Sequence, residues 1–309
     1  MRFCLTPLLY SIVLLAGLTA CAVQRNPYAA TNRSYRQQVK AYARSMRAVP
    51  PPTPGADSLP LGQPWVGTTN FNLRKPNFVI IHHTAQESTA QTLRTFTQPR
   101  TEVSAHYVIG RDGRVYHLLN DYLRAWHGGV ARWGSDTDLN SSSIGIELDN
   151  NGTEPFAEPQ MVSLLKLLAG LKKAYNIPAT NFLGHGDIAP TRKTDPSARF
   201  PWQRLAVRGF GLWYDAGALP DPPAPLALPA SSAPPADSAA VDILLIRLNA
   251  LPAAAPFSPA EALRIIGYDT RDLPAAIRAF KRHFIPETVE LPLSETDNRI
   301  LYNLYKKYW

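Results

Sequence analysis

The chain between residues 65 and 215 alternates short apolar runs with stretches of helical periodicity, a pattern typical of an α/β domain. The run 78–81 is apolar and mostly β-branched, which predicts a buried strand that ends at His82. In the segment 144–148, every second residue is apolar. A strand there places Glu147 on the face opposite these apolar residues. Each predicted strand therefore delivers one ionisable side chain.

A hairpin and a long helix complete the predicted domain. Asp112-Gly113 lies between the apolar runs 105–109 and 115–119, and this dipeptide favours a tight turn between two strands. From residue 159 to residue 175, methionine and leucine recur at helical spacing. We expect the apolar stripe of this helix to lie in the core.

The segments on either side of this domain have different compositions. Residues 22–64 are polar and then proline-rich, which predicts a tether with one short helix over 35–46. Residues 216–240 are rich in proline, alanine and serine, as interdomain linkers are. The last segment, 241–309, predicts a small all-α domain of three or four short helices, whose clearest start is the capping Ser258 followed by proline.

The first 21 residues have the layout of a secretory signal peptide. Arg2 precedes an apolar stretch, 8–18, that is too short to span a bilayer comfortably. Small residues then precede Cys21, a pattern that resembles the lipobox at which bacterial lipoproteins are cleaved and lipidated. An ordinary signal peptide with a chance cysteine, or an uncleaved anchor, would explain the same residues. We expect lipid on Cys21, and Ala22 beside it resembles the signal for sorting to the outer membrane.

The cysteine count and the net charge limit the kinds of site and partner. The second cysteine, Cys4, lies in the segment expected to be removed, so a monomer would hold no disulfide and no cysteine-rich zinc site. The net charge of +8 suits a protein that works near anionic polymers or membranes, but it equally suits plain solubility. Because no basic run or nucleic-acid motif accompanies this charge, we expect no nucleic-acid partner.

Six of the seven histidines lie between positions 82 and 185, inside the α/β domain. A hydrolytic zinc site needs three imidazole or carboxylate ligands and an open position for water. His82 at a strand end, with His185 and Asp195 ten residues apart in one loop, fits that need. Each loop residue could instead be a hydrogen-bonded surface group, but that explanation must be repeated for every position.

Five motifs share one order along the domain: VIIHHTA (79–85), SAHY (104–107), AWHGG (125–129), SIGIEL (143–148) and GHGDIAPTRKTDP (184–196). In this order they resemble the motifs of the type 2 N-acetylmuramoyl-L-alanine amidase family, and most closely those of its lipoprotein members. Several ordered motifs are far more specific than one short pattern. The resemblance implies an α/β fold with a mixed β-sheet flanked by helices.

The resemblance also implies a role for individual residues. His82, His185 and Asp195 correspond to ligands of Zn²⁺, the expected cofactor. Glu147 corresponds to the general base, and Lys193 to a cation near the developing oxyanion. Without the resemblance, Glu147 would be interpreted as a strand carboxylate in a salt bridge and Lys193 as a solvated loop cation.

Other motif residues are candidates for contact with substrate. His83 points away from His82 in a regular strand, so we interpret it as lining the pocket or supporting a ligand. Core packing would explain Trp126 and His106 equally well. The full set of predicted substrate contacts is His83, Trp126, His106, His127 and Asn140.

The family implies hydrolysis of the amide between the lactyl group of N-acetylmuramic acid and L-alanine, during cell-wall turnover or recycling. The expected partners are peptidoglycan or muropeptides, and the membrane through lipid on Cys21. The expected state is a monomer at the periplasmic face of the outer membrane. A non-catalytic wall-binding lipoprotein and a zinc peptidase that cuts within the stem peptide are alternatives.

The C-terminal segment carries a second resemblance, to the three-helix peptidoglycan-binding modules that often accompany such amidases. The segments that carry it are 262–269, 276–284 and 300–304, which have stripes of leucine, isoleucine and phenylalanine. A generic helical bundle would show the same stripes. Wall binding by residues 241–309 is therefore an expectation, with a purely structural appendage as its alternative.

Overall fold

The computed structural model of the protein describes residues 26–48, 68–217, 219–220 and 257–308. The predicted signal peptide with Cys21 lies outside the described residues. The proline-rich part of the tether, residues 49–64, and residues 221–240 of the linker also lie outside them. The interpretation of these segments therefore stays a prediction.

The first of two compact units ends at Thr68, and its described part is helix α1 (Ala29–Met46). The helix begins six residues before the predicted start at 35, because an Asn26 turn precedes it: the Asn26 side chain accepts the N–H of Tyr28, and its carbonyl accepts that of Ala29. None of the helix residues is buried. Within the described part of the chain, no helix combines the length and apolar character needed to cross a bilayer.

The second unit, Thr69–Trp309, is built on a mixed five-stranded sheet. The strands are β1 (Phe78–His83), β2 (Tyr107–Ile109), β3 (Val115–His117), β4 (Ser143–Leu148) and β5 (Phe182–Gly184), in the spatial order β3-β2-β4-β1-β5. Four strands are parallel, and β3 pairs antiparallel with β2 through the predicted Asp112-Gly113 hairpin. The predicted mixed sheet is confirmed.

Helices lie around this sheet and after it. They are α2 (Thr89–Thr95), α3 (Leu139–Ser142), α4 (Glu158–Tyr175), α5 (His185–Ile188), α6 (Trp202–Ala206), α7 (Pro259–Ile266), α8 (Leu273–Phe284) and α9 (Glu295–Tyr308). Helix α4 carries the predicted apolar stripe and ends at Asn176, whose φ of 50° is left-handed. Helix α7 begins at the predicted cap, because the Ser258 hydroxyl accepts the N–H of Glu261.

The two faces of the sheet pack against different helices. Side chains alternate along a strand, so Val79 and Ile81 of β1 face the core that α4 covers. Ile80 and Leu183 face the other side, where they share one apolar core with α7, α8 and α9. The helices of residues 257–308, called the C-terminal helical region below, therefore belong to the same compact unit as the sheet. His82 lies on the Ile80 face, so the predicted site opens on the side of this region.

A candidate metal centre and its surroundings

The candidate site forms where three neighbouring parallel strands end. His82 of β1 pairs in register with Glu147 of β4. On the other side Ile81 pairs with Gly184 of β5, so His185 follows directly at the same edge of the sheet. Because parallel strands end at the same edge, three chain segments far apart in sequence deliver ionisable side chains to one place.

The three predicted metal ligands converge there. His82 Nδ1 lies 3.0 Å from His185 Nδ1 and 3.1 Å from Asp195 Oδ2, and His185 Nδ1 lies 3.2 Å from the same oxygen. Tetrahedral zinc with bonds of about 2.0 Å holds its ligand atoms roughly 3.3 Å apart. The His₂Asp donor set, with spacings close to that value, fits Zn²⁺ and leaves a fourth position open. The Asp195 side chain keeps 14% exposure, while both histidines are buried.

The tautomer of His185 follows from its outer nitrogen. His185 Nε2 lies 3.0 Å from the carbonyl oxygen of Gly128, which can only accept a hydrogen bond. Nε2 therefore carries the proton, and Nδ1 presents its lone pair toward His82 and Asp195.

A series of buried hydrogen bonds fixes His82 in the same tautomer, with the proton on Nε2. The Ser143 hydroxyl donates to the carbonyl of Leu139, so its oxygen is free to accept the Nε2–H of His127 at 3.2 Å. His127 Nδ1 then accepts the Nε2–H of His82 at 3.1 Å. Burial lowers the pKa of His82 to about 4 and that of His127 well below 6.5, so both rings are neutral. These hydrogen bonds leave the lone pair of His82 Nδ1 pointing at the site.

The carboxyl groups at the site have opposite pKa shifts. Burial alone would raise the pKa of Asp195, but the adjoining His185 and His82 hold it well below its usual range. Burial raises the pKa of Glu147 to about 8; the Asp195 charge adds to that rise, and Lys193 opposes it. Glu147 Oε1 lies 3.9 Å from His82 Nδ1. A carboxyl group with a pKa near neutrality is suited to accept and return a proton.

Three of the predicted substrate contacts have side chains that are buried and hydrogen-bonded inside the domain, and their contact with substrate stays a prediction. His106 Nδ1 accepts the N–H of Gly145, and its Nε2 donates to the carbonyl of Leu123, each at 3.0 Å. Asn140 accepts the N–H of His127 at 3.0 Å, and His127 itself bonds to the outer nitrogen of a candidate ligand. His106, His127 and Asn140 therefore support the site from behind.

Two predicted contacts have other surroundings. Trp126 is 54% exposed, so the alternative that it packs in the core is wrong, and its contact with substrate stays a prediction. His83 lies on the opposite strand face from His82, and its Nδ1 accepts the N–H of Ser197 at 3.0 Å. His83 therefore supports the loop that follows Asp195.

Arg192, which was not among the predicted site residues, fixes the loop beside the site. Its Nη2 donates to the carbonyls of Gly128 and Val130 at 2.8 and 2.7 Å. Gly129 lies between these two residues with a left-handed φ of 59°, and a side chain there would meet the guanidinium. The GHGDIAPTRKTDP motif contains Arg192, but nothing in it distinguishes a structural arginine from a solvated one.

Gly145 makes room for the His127 ring, and this gives a first testable prediction. A Cβ at Gly145 would lie 2.5 Å from the imidazole, so Gly145→Ala must displace the ring or the strand. We expect the free energy of unfolding to fall by about 2 kcal/mol in urea titrations of the metal-free protein. Gly170→Ala is the matched control, because a Cβ there meets nothing within 4 Å. The control should stabilise helix α4 by roughly 0.5–1 kcal/mol, and equal changes in both variants would contradict the packing argument.

The chain resembles known amidases in sequence. Residues 72–198 match the family model described as N-acetylmuramoyl-L-alanine amidase. The N-acetylmuramoyl-L-alanine amidase AmiD of Escherichia coli K12 is 37% identical over 154 residues, which cover 45% of this chain and 55% of that protein. The 1,6-anhydro-N-acetylmuramyl-L-alanine amidase AmpD of Haemophilus influenzae is 41% identical over 103 residues, 33% of this chain and 56% of that protein. The chain thus spans a little over half the length of these curated relatives.

Solved structures match over a greater part of the chain. AmiD from E. coli, in complex with the substrate anhydro-N-acetylmuramic acid-L-Ala-D-γ-Glu-L-Lys, covers 78% of this chain and 93% of its own at 28% identity, with a TM-score of 0.60. AmpDh3 from Pseudomonas aeruginosa covers 81% of this chain and 99% of its own, also at 28% identity, with a TM-score of 0.61. Both matches share the mixed sheet flanked by helices. Residues 72–198 therefore resemble the type 2 N-acetylmuramoyl-L-alanine amidase family in both sequence and fold.

Proposed function

We propose that the protein is a zinc-dependent N-acetylmuramoyl-L-alanine amidase that cleaves the amide between the lactyl group of N-acetylmuramic acid and L-alanine. One observation carries the proposal: His82, His185 and Asp195 converge on one point, with the Glu147 carboxylate beside them, inside a domain that resembles this family. That constellation has the ligands and the base that metal-assisted hydrolysis needs.

His82, His185 and Asp195 would hold Zn²⁺ through the two lone pairs and the carboxylate oxygen described above. When bound, the metal supplies a Lewis acid and makes water acidic enough to react at neutral pH. The hydrogen-bond chain behind His82 and the carbonyl bonded to His185 orient the two rings before the metal arrives. Little reorientation of the ligands is then needed on binding.

Glu147 moves the protons of the reaction. Its carboxylate takes a proton from the attacking water as the new C–O bond forms at the lactyl carbonyl carbon. The same carboxyl group returns the proton to the nitrogen of L-alanine as the C–N bond breaks. The products are a lactyl carboxylic acid on the sugar and a stem peptide with a free amino terminus.

Lys193 and Trp126 have supporting roles in this proposal. The charge of Lys193 acts on the pKa values of both Glu147 and His82, and a cation at that range stabilises the negative oxygen of the transition state. Trp126 offers an exposed indole face on which a sugar ring could pack.

The cellular setting is proposed from sequence features and from relatives. Lipid on Cys21 would attach the enzyme to the periplasmic face of the outer membrane, where its peptidoglycan or muropeptide substrates lie. AmpD is named for 1,6-anhydro-N-acetylmuramyl substrates, and AmiD was solved with an anhydro-muropeptide. Both names support a role in wall turnover or recycling. Wall binding by the C-terminal helical region stays a prediction.

Mass spectrometry of digested peptidoglycan tests the proposal. The chain lacking residues 1–21 is incubated with purified wall, and with anhydro-N-acetylmuramic acid-L-Ala-D-γ-Glu-L-Lys as a defined substrate. We expect free peptides that begin with L-alanine, lost on chelation and restored by Zn²⁺. Fragments cut within the stem peptide would instead identify a zinc peptidase. Absence of products, with protein that still sediments with the wall, would identify a binding protein.

A further inference from the structure

A buried carboxylate connects the candidate metal site to the C-terminal helical region. Asp187 lies on helix α5, two residues after His185, and its exposure is 4%. It is outside the proposed ligand set and has no part in the proton transfers described above. Burying a carboxylate is costly unless its oxygens accept hydrogen bonds, so its partners indicate what this residue does.

Both oxygens of Asp187 accept hydrogen bonds, mostly from the C-terminal helical region. Oδ2 accepts the N–H of Gly184 at 2.7 Å and the Nδ1–H of His283 at 2.8 Å. Oδ1 accepts the hydroxyl of Tyr268 at 2.9 Å. Two of these three donors belong to residues 257–308, so the sheet domain alone would leave most of this carboxylate unsatisfied. We call Asp187, Gly184, Tyr268 and His283 the Asp187 cluster.

The two distant donors are held in place by packing. The Tyr268 ring lies edge-on to Trp133, with centroids 4.9 Å apart. The His283 ring stacks on Trp202, with ring centroids 3.9 Å apart and an angle of 14° between the ring planes. Burial, with the nearby Asp187 charge, raises the pKa of Tyr268 well above 10, so its hydroxyl keeps the proton that it donates. Fixed donors of this kind orient the carboxylate as well as satisfy it.

The cluster is in direct contact with both segments that carry predicted ligands. Gly184 immediately precedes His185, and a Cβ on Gly184 would lie 2.8 Å from Pro196, the residue after Asp195. Gly186 follows His185 and donates its N–H to the carbonyl of Asp195 at 2.7 Å. A displacement of α5 would therefore move both ligands.

We infer that Asp187 is a positioning residue through which Tyr268 and His283 of the C-terminal helical region hold His185 and Asp195 in metal-binding geometry. The helical region is then a structural part of the metal site, whether or not it also binds the wall. This inference rests on the proposed zinc site. It assigns Asp187, Tyr268 and His283 no contact with substrate or reacting atoms.

Zinc affinity in the full-length protein tests the inference. Tyr268→Phe removes one hydroxyl from the Asp187 cluster and keeps the ring. Tyr302→Phe is the matched control, because it removes a phenol hydroxyl from α9, where the ring packs on Phe257, and leaves all three hydrogen bonds of Asp187 in place. Competition with a chromophoric chelator gives the Kd for Zn²⁺. We expect about tenfold weaker binding for Tyr268→Phe and an unchanged Kd for the control.

Asp187→Asn extends the test by a double-mutant cycle. It should weaken zinc binding at least as much as Tyr268→Phe, and the two changes together should cost no more than Asp187→Asn alone, because both act through one carboxylate. Absorption spectra of the Co²⁺ form should change in Tyr268→Phe but not in Tyr302→Phe, since only the first alters ligand geometry. Tyr268→Phe keeps the test valid if Asp187→Asn fails to fold.

The outcomes separate this inference from the proposed function. If the unaltered protein binds Zn²⁺ tightly and Tyr268→Phe binds it equally well with the same Co²⁺ spectrum, the cluster only stabilises the fold and the inference is overturned. If the unaltered protein binds no Zn²⁺, the zinc site and the inference fall together.

Discussion

Replacing Glu147 by glutamine is expected to reduce hydrolysis of the muropeptide amide by about a thousandfold while zinc stays bound. The glutamine side chain has nearly the same size and cannot accept and return a proton. Glu147 Oε1 lies 3.9 Å from His82 Nδ1 but is not one of the three converging ligand atoms. Loss of activity without loss of metal is therefore the specific signature of a general base. Release of peptide from a defined muropeptide, measured beside zinc content, checks both parts.

The Glu147→Gln substitution is not expected to weaken the fold. Burial raises the pKa of Glu147 to about 8, above the value of an exposed glutamate, so the metal-free folded state binds more protons than the unfolded state between these two values. Stability of the metal-free protein therefore falls as pH rises through that interval, and a neutral amide removes this loss. Unfolding of Glu147→Gln at neutral pH should need at least as much urea as unfolding of the unaltered chain.

Asp149→Asn is the matched control for Glu147→Gln. Asp149 is also a buried carboxylate, follows strand β4 directly and accepts the hydroxyl of Thr89. Its substitution removes a buried charge two residues away without removing the proposed base. Hydrolysis should stay within a few-fold of the unaltered rate. A similar loss in both variants would mean that any buried charge near the end of β4 matters, and the role of Glu147 would have to be withdrawn.

The parts of the site that the sequence predicted are those set by local pattern. The apolar run of β1 placed His82 at a strand end, and alternation along β4 placed Glu147 on the face opposite Ile146 and Leu148. The loop spacing of His185 and Asp195 suggested a pair of ligands, and the parallel strand ends explain why they meet His82. The mixed sheet itself came from the family resemblance, because its order depends on pairings between distant segments.

The parts that could not be predicted depend on contacts between distant segments. His106 lies in the SAHY motif and Asn140 precedes three serines, and only the folded chain decides that both side chains face inward. The hydroxyl of Ser143 matters because it meets His127, 16 residues earlier in the sequence. Asp187 finds His283 across 96 residues. Residue type and spacing reveal which groups can form such bonds but not which partner each of them finds.

Removing the carboxylate of Asp195 is expected to abolish activity by releasing the metal, in contrast to the Glu147 substitution. Asp195 supplies the one anionic ligand atom, and its Oδ2 lies within 3.2 Å of both His82 Nδ1 and His185 Nδ1. Structural zinc sites are worth roughly 10–16 kcal/mol over four ligands, so one ligand contributes about 3 kcal/mol. Asp195→Ala should therefore raise the Kd for Zn²⁺ about a hundredfold or more.

Thr194→Ala is the neighbouring control for Asp195→Ala, because Thr194 is exposed and precedes the proposed ligand in the same loop. The control should keep both zinc and activity, while Asp195→Ala should elute metal-free from dialysis against a weak chelator. Saturating Zn²⁺ should restore part of the activity of Asp195→Ala, since Glu147 and Lys193 remain in place, but it should restore none to Glu147→Gln. Stoichiometric zinc in dialysed Asp195→Ala would remove Asp195 from the ligand set. Opposite responses of the two variants to added zinc would assign metal binding and proton transfer to two separate carboxylates, although each lies within 3.9 Å of His82 Nδ1.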